Sequence, residues 1–334
     1  AEKGLYVEME AFEYHAFLDF REIRDDDFGS WGKLCRQLQG GAVASLDQEM
    51  KLIRYAVLLS AFSELSDGVT ERLAILFAPT PPEASGVECK DSLRNLLCNF
   101  YTVLAEQKGG TETAENIVDK VIAELELVAG VMEMRSRRKA ESSALGAFQS
   151  SLRVKGGEFN QLLLALCLTL HRIGVMPGDE DSPYHSAEWL DEFGLTSVLE
   201  TAFHKAESNR NWASPWGAGT EVQLMKILLA HQSFLADNDK EGGAERLRRL
   251  FNDRNVAEFI LLHKSGGVEW FNRERFEDLM LWLYLIAVPS LRAKRGEMKH
   301  LPQEMAKRHT TVMELISKAE TAGYRSDILL ETAG

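Results

Sequence analysis

Apolar residues recur at intervals of three and four along most of this chain, the spacing that gathers them on one face of a helix. From Ser45 onward, Leu46, Met50, Ile53, Val57, Ala61 and Leu65 follow it as one run. Leu93, Leu96, Leu97, Phe100, Tyr101 and Leu104 form a second stripe, and Ile117, Val121, Leu125, Val128 and Met132 a third. Ser45 with Gln48, Ser197 with Glu200 and Thr220 with Gln223 have capping-box spacing, in which the hydroxyl bonds the N–H three residues on. The last of these opens a run carrying Val222, Leu224, Met225, Ile227, Leu228 and Leu229.

Two segments, Leu162–Leu168 and Leu279–Ile286, have no polar face. A helix of that kind must be surrounded by others. These two are the expected centre of the bundle, the second stopping at Pro289, which has no N–H to give. Only the start of the chain has a period of two. Leu5, Val7 and Met9 alternate with Tyr6, Glu8 and Glu10, and Phe12, Tyr14, Phe17, Leu18 and Phe20 crowd in behind them. That predicts an extended segment over 1–26, laid on the helices and ended in solvent by Asp25, Asp26 and Asp27.

Gly-Gly pairs at 40–41, 109–110, 156–157, 242–243 and 266–267, with Pro79, Pro81 and Pro82, cut the remainder into about ten helices. Their spacing is irregular, so no solenoid repeat is present. The expected fold is all-α: a multi-helix bundle over 27–334, dividing into two lobes near the polar stretch at 136–157.

Composition agrees with a packed fold. At 334 residues, 45% hydrophobic and 27% charged, the chain buries a sizeable core without disulfide or metal staples. The net charge of −13 argues against nucleic acid as a partner, because phosphate binding needs a clustered positive face. Arg135, Arg137, Arg138 and Lys139 are the tight basic cluster, and they read as a cationic helix end that complements the dipole.

Cys35, Cys89, Cys98 and Cys167 form no C-x-x-C pair and no zinc spacing. Each lies in or beside an apolar helical pattern, as small hydrophobes do, which suits a reducing cytoplasm. The longest apolar runs, Leu162–Leu170 and Leu279–Val288, fall far short of the ~20 residues a bilayer span requires. With Ala1 in place of Met and no signal-like start, the sequence reads as a processed product or an excised piece of something longer.

Catalytic patterns are scarce. Asp25-Asp26-Asp27 invites a magnesium-diphosphate reading, but around Asn209, Arg210 and Asn211 the second motif fails: Ala213 and Pro215 stand where hydroxyls are needed. A solvated loop is expected instead. No H-E-x-x-H, G-x-S-x-G, P-loop or G-x-G-x-x-G occurs. Glu200 and His204 lie one turn apart, but two groups are too few for a transition metal. His171 and His231 sit on apolar faces and are expected to be buried and hydrogen-bonded. No metal, no cofactor and no catalytic residue is assigned. Trp189, Trp212, Trp216 and Trp270 fall at loops or helix starts. The stretch from Asn211 to Trp216 could offer Trp212 and Trp216 to sugar rings, although aromatics more commonly anchor a loop onto the core.

Two segments look familiar. Residues Phe12-Glu13-Tyr14-His15-Ala16-Phe17-Leu18-Asp19-Phe20-Arg21-Glu22-Ile23 resemble a segment just after the catalytic barrel in large bacterial proteins of the α-amylase family. Gly267-Val268-Glu269-Trp270-Phe271-Asn272-Arg273-Glu274, continuing to Leu279, is similar to a Trp-Phe-Asn segment near their C-terminus. Two weaker similarities keep the same order, at Lys226–Gln232 and at Ala322–Leu330.

In that family the chemistry belongs to a (β/α)₈ barrel with two carboxyl groups flanking the scissile bond. Such a barrel takes ~250 residues and eight βα units, and the helical periods here leave no place for one. The resemblance therefore implies a non-catalytic helical accessory domain that follows the barrel in cis and positions or stabilises it. Phe12, Tyr14, Phe17 and Phe20 would be its seam, since extended aromatic edges rarely stay wet, with α-glucan at Trp212 and Trp216. Two other readings stand beside it. One is a free-standing helical interaction module with an acidic surface. The other is a helical enzyme with a dispersed site, which needs one pocket to gather His171, His231 and Glu200.

Overall fold

The computed structural model describes residue 10 and residues 22–77, 83–109, 112–153, 157–176, 182–210, 212, 215–236, 243–291 and 300–332. Among these are fifteen α-helices, a 3-10 turn and a single two-stranded hairpin, so the architecture is all-α. The excess over ten helices comes largely from short ones of nine residues or fewer: α1, α12 and α15 have too few turns for a 3.6-residue period to register, and α2 reads as one run with the helix after it. The extended segment expected at the start, with Phe12, Tyr14, Phe17 and Phe20, lies outside the described residues.

The chain divides into two compact units, Ala1–Arg54 and Tyr55–Gly334. The first contains α1 (Ser30–Leu38) and α2 (Leu46–Arg54). The opening N–H groups of a helix have no intrahelical partner, and here the acidic run supplies acceptors. Asp25 takes the N–H of Trp31 at 2.8 Å and of Gly32 at 2.9 Å, and Asp26 takes that of Ser30 at 2.8 Å. The Ser30 N–H, helped by Arg54 at 3.1 Å, holds the Asp26 carboxyl below its ordinary value. The three aspartates lie in a largely exposed loop, as expected, and from it two of them also cap α1. A Cβ on Gly32 would stand 2.9 Å from Asp25 Oδ2, so glycine leaves room for that cap.

The apolar run from Leu46 to Leu65 proves to be two helices. It breaks at Tyr55, and α3 (Ala56–Leu76) starts beyond it. Val57, which carries the period across the break, is 68% exposed. Within the second unit α4 (Glu83–Lys108) packs along α3, and α5 (Ala114–Glu133) along α4. Next come α6 (Lys139–Arg153) and α7 (Gly157–Leu170), in which every residue from Leu162 onward is buried. After the 3-10 turn follow α8 (Ser182–Glu192), α9 (Leu195–Arg210), α10 (Ala218–Ala230), α11 (Gly243–Asn252) and α12 (Arg254–Phe259). The unit closes with α13 (Arg273–Ala287), α14 (Leu301–Thr321) and α15 (Ser326–Thr332). As their all-apolar surfaces require, α7 touches α3, α5, α6, α10 and α13, and α13 also touches α14. The polar stretch at 136–157 falls inside this second unit.

Of the three capping boxes, the one at Ser45 forms, with Gln48 N–H 3.3 Å from its Oγ. Helices α9 and α10 begin earlier than their boxes, directly after Gly194 and Gly217, and Ser197 Oγ donates back to Gly194 O at 2.8 Å. The basic cluster also sits differently from expectation. Arg137 and Arg138 precede α6 and Lys139 opens it, so three of its four cations stand at the helix end where the dipole is positive. Glu141 offsets them by pairing with Arg138 at 3.1 Å. The C-terminal carbonyls of α5 are capped instead by Gln149, at 2.8 Å from Val131 O, and by Arg153.

Gly266–Gly267, read as a helix punctuation mark, is a hairpin turn joining β1 (His263–Ser265) to β2 (Val268–Trp270). Both glycines have positive φ, 60° and 81°, as a two-residue type I′ turn demands. Among the described residues no helix is long and apolar enough to cross a membrane.

Candidate functional site

The most polar place in the interior is the C-terminal end of α7. A helix that ends inside a core leaves carbonyls that must find donors there. His171 Nδ1 lies 2.8 Å from Leu168 O, and Tyr101 Oη donates to Thr169 O at 2.7 Å. The His171 carbonyl accepts from Ser186 Oγ at 3.0 Å and from Gln232 Nε2 at 3.2 Å. Ser186 Oγ in turn accepts the Gly174 N–H at 2.9 Å. Tyr101 on α4, Ser186 on α8 and Gln232 just beyond α10 thus each send a side chain to close the end of one buried helix.

Glu124, on α5, supplies the counter-charge. Its side chain is 8% exposed and lies against both His171 and Arg172. His171 Nε2 is 3.0 Å from Glu124 Oε2, close enough to pair but off the direction of a hydrogen bond. Burial pushes the Glu124 carboxyl up, but His171 and Arg172 outweigh it and hold the group below its ordinary value. The Arg172 guanidinium, just past the helix C-terminus, also answers the dipole. Burial, with Glu124 adding to it, pushes the nearby Cys167 thiol up to about 12. Such a thiol is a neutral core residue rather than a nucleophile.

His231 makes a second pair, with Nε2 2.8 Å from Asp253 Oδ2. Asp253 is also the N-cap of α12, accepting the Asn255 N–H at 2.7 Å. Burial raises its carboxyl, yet the His231 and backbone hydrogen bonds together bring it below its ordinary value. Both histidines are buried, as their apolar faces predict. Each is engaged by its own carboxylate, while Glu200 is exposed on α9. His204 lies 3.6 Å from Glu207. Among the described residues no group of three or more His, Cys, Asp or Glu could hold a metal ion.

Trp212 and Trp216 are half-buried against the core. The Trp216 indole donates to Asp278 Oδ2 at 2.8 Å, and the Arg275 guanidinium lies over its ring, 4.7 Å from the centroid. Burial raises the Asp278 carboxyl, against the Trp216 hydrogen bond and the Arg275 charge. Trp189 is buried, with Lys108 Nζ 5.0 Å from its ring centre. Trp270 is 36% exposed on β2, beside Arg325.

No family model, curated protein or solved structure matches this chain.

Of the segments that carry the α-amylase resemblance, residues 12–21 lie outside the described residues, and the segments from Lys226 onward lie within them. Phe271 is buried among Phe251, Phe276 and Tyr324. Asn272 caps α13 through Arg275 N–H at 3.0 Å. Trp270 bridges to Arg325, and Ser326 Oγ donates to Glu269 Oε2 at 2.6 Å. On α10, Lys226 pairs with Asp191 at 2.8 Å, ahead of His231 and Gln232 in the two polar sites above. Sequence reasoning missed Glu124, Asp253 and Asp278, because a lone acid in an amphipathic run looks like part of the wet face until its partners are known.

Proposed function

We propose that this chain is a non-catalytic helical accessory module of an α-amylase-like glycosidase, packing against and positioning a catalytic barrel. The observation that carries the reading is the junction of two separate segments that resemble that family. Gly267–Leu279 and Ala322–Leu330 are far apart in sequence, yet they interlock through Phe271, Tyr324, Glu269 and Ser326. Residues engaged in that junction hold the fold together and are not arranged for bond cleavage. The polar interior supports the same view. Glu124 and Asp253 each lie against a buried histidine, and His171 and Asp253 also bond the backbone at the ends of α7 and α12, so these groups are already engaged within the fold.

The test is to sequence the reading frame upstream of Ala1 and to assay the chain alone on α-glucans. A (β/α)₈ barrel encoded upstream, with no turnover by the chain itself, is the expected result. Steady hydrolysis by the isolated chain overturns the proposal. A start codon beside Ala1 with no barrel in the frame replaces it by a free-standing interaction module.

A further inference from the structure

We propose that the connection from α5 to α6 is a docking surface for a short acidic segment of a partner protein, held by Arg135, Arg137, Arg138 and Lys139. All four cations are exposed, and they stand within five consecutive residues of a chain whose net charge is −13. The fold itself does not ask for them. Arg137, Arg138 and Lys139 stand at the N-terminal end of α6, where the dipole is positive and a cation is locally unfavourable. Nor do they close α5, whose last carbonyls are taken by Gln149 and Arg153. Glu141 pairs with Arg138 at 3.1 Å and accepts from Ser136 Oγ. Among the described residues no ion pair engages the side chains of Arg135, Arg137 or Lys139. Cations that oppose their own helix and have no internal acid to answer are available to an outside one.

The surroundings favour a short acidic peptide over an extended polyanion. From Glu133 to Ala147 there is no Phe, Tyr or Trp on which a base could stack. Met134 and Leu145, the large apolar side chains of this stretch, pack against the core, so neither anchors the patch in a bilayer. A duplex or a membrane also carries its charge far beyond the patch, where it meets the acidic remainder of the surface. At physiological salt such fields fade over about 8 Å, so a peptide that stays on the four cations escapes most of that repulsion. Arginine suits carboxylates, which it meets with two parallel N–H bonds. This inference stands apart from the accessory-module reading and holds whether or not a barrel precedes the chain.

The test measures binding of fluorescein-labelled octaglutamate to the full chain by fluorescence anisotropy, with octaglutamine as the uncharged control. Octaglutamate is expected to bind and octaglutamine is not, and raising the salt to about 0.15 M should weaken binding severalfold. Arg137→Ala combined with Lys139→Ala should also weaken it severalfold. The same double variant should keep or raise the melting temperature, because the lost cations oppose the helix end. Lys264→Ala removes an exposed cation from β1, away from the patch, and should leave binding unchanged. A melting temperature that falls in the double variant means that these cations serve the fold, and overturns the proposal. So does an absence of binding, an equal loss on Lys264→Ala, or tighter binding to phosphatidylserine vesicles or a short DNA duplex than to octaglutamate.

Discussion

Phe271 and Tyr324 meet edge-on, with ring centroids 5.8 Å apart and the Phe271 N–H donated to the Tyr324 carbonyl at 3.1 Å. Tyr324 adopts left-handed backbone, φ 60°, in making that contact. For a residue other than glycine this costs on the order of 1 kcal/mol. The packed aromatic group of Phe251, Phe271, Phe276 and Tyr324 offsets it, fastening the hairpin to the turn that follows α14.

Removing the buried ring should therefore cost far more than removing the polar contact beside it. Phe271→Ala is expected to lose about 3–5 kcal/mol in urea unfolding. Tyr324→Phe gives up only the 3.3 Å hydrogen bond to Glu277, and its loss should stay within about 1 kcal/mol. Similar losses for the two variants would show that the junction is not held by its aromatic core.

Glu124 gives a pH-dependent counterpart. Its carboxyl lies below its ordinary value in the folded chain. The stability it contributes is therefore fully present above the ordinary carboxylate range and is lost as pH falls through the lowered value. Glu124→Gln removes the charge shared by His171 and Arg172 and should destabilise the fold by roughly 3–5 kcal/mol at neutral pH. The penalty should shrink as the pH is lowered. A penalty independent of pH would mean that the carboxylate charge is not what stabilises the end of α7.

The helical architecture was legible because it rests on local period. Leu162–Leu168 and Leu279–Ile286 have no polar face, and all of the first segment and all of the second but the half-buried Leu281 are buried in the structure. What local pattern does not carry is the ending of helices. Ser197 and Thr220 have box spacing, yet the helices begin after Gly194 and Gly217, because positive-φ glycines turn the chain before the hydroxyls are reached. Val57 continues a stripe across the break at Tyr55 although it faces solvent. The polar interior was half visible: the apolar flanks of His171 and His231 pointed to buried histidines. Glu124 and Asp253 were not, since each meets its partner only after the chain has folded back.

The Gly266–Gly267 turn tests the correction at the hairpin. Gly266→Asn should be close to neutral, because asparagine tolerates left-handed backbone and Asn-Gly suits a type I′ turn. Gly267→Val should cost on the order of 1–2 kcal/mol, since a β-branched residue at φ 81° is strained. Thermal unfolding compares the two, and an equal effect would remove the turn geometry as the reason for this glycine pair.

Asp278 should behave in the opposite sense to Glu124, and the difference lies in their partners. Glu124 faces two positively charged or chargeable groups, whereas Asp278 has a neutral indole N–H at 2.8 Å and a single cation, Arg275, that also lies over the Trp216 ring. Burial prevails and the Asp278 carboxyl is raised. The folded chain then holds that proton more tightly than the unfolded one, so stability is greatest below the ordinary carboxylate value and declines as pH rises through the raised one. Asp278→Asn keeps an acceptor for Trp216 and removes the ionisation, so its unfolding free energy should lack that decline. Asp278→Ala leaves the indole N–H without its acceptor and should lose about 1–3 kcal/mol at any pH. If the asparagine variant keeps the wild-type slope, some other group titrates there, and burial of Asp278 is not what sets it.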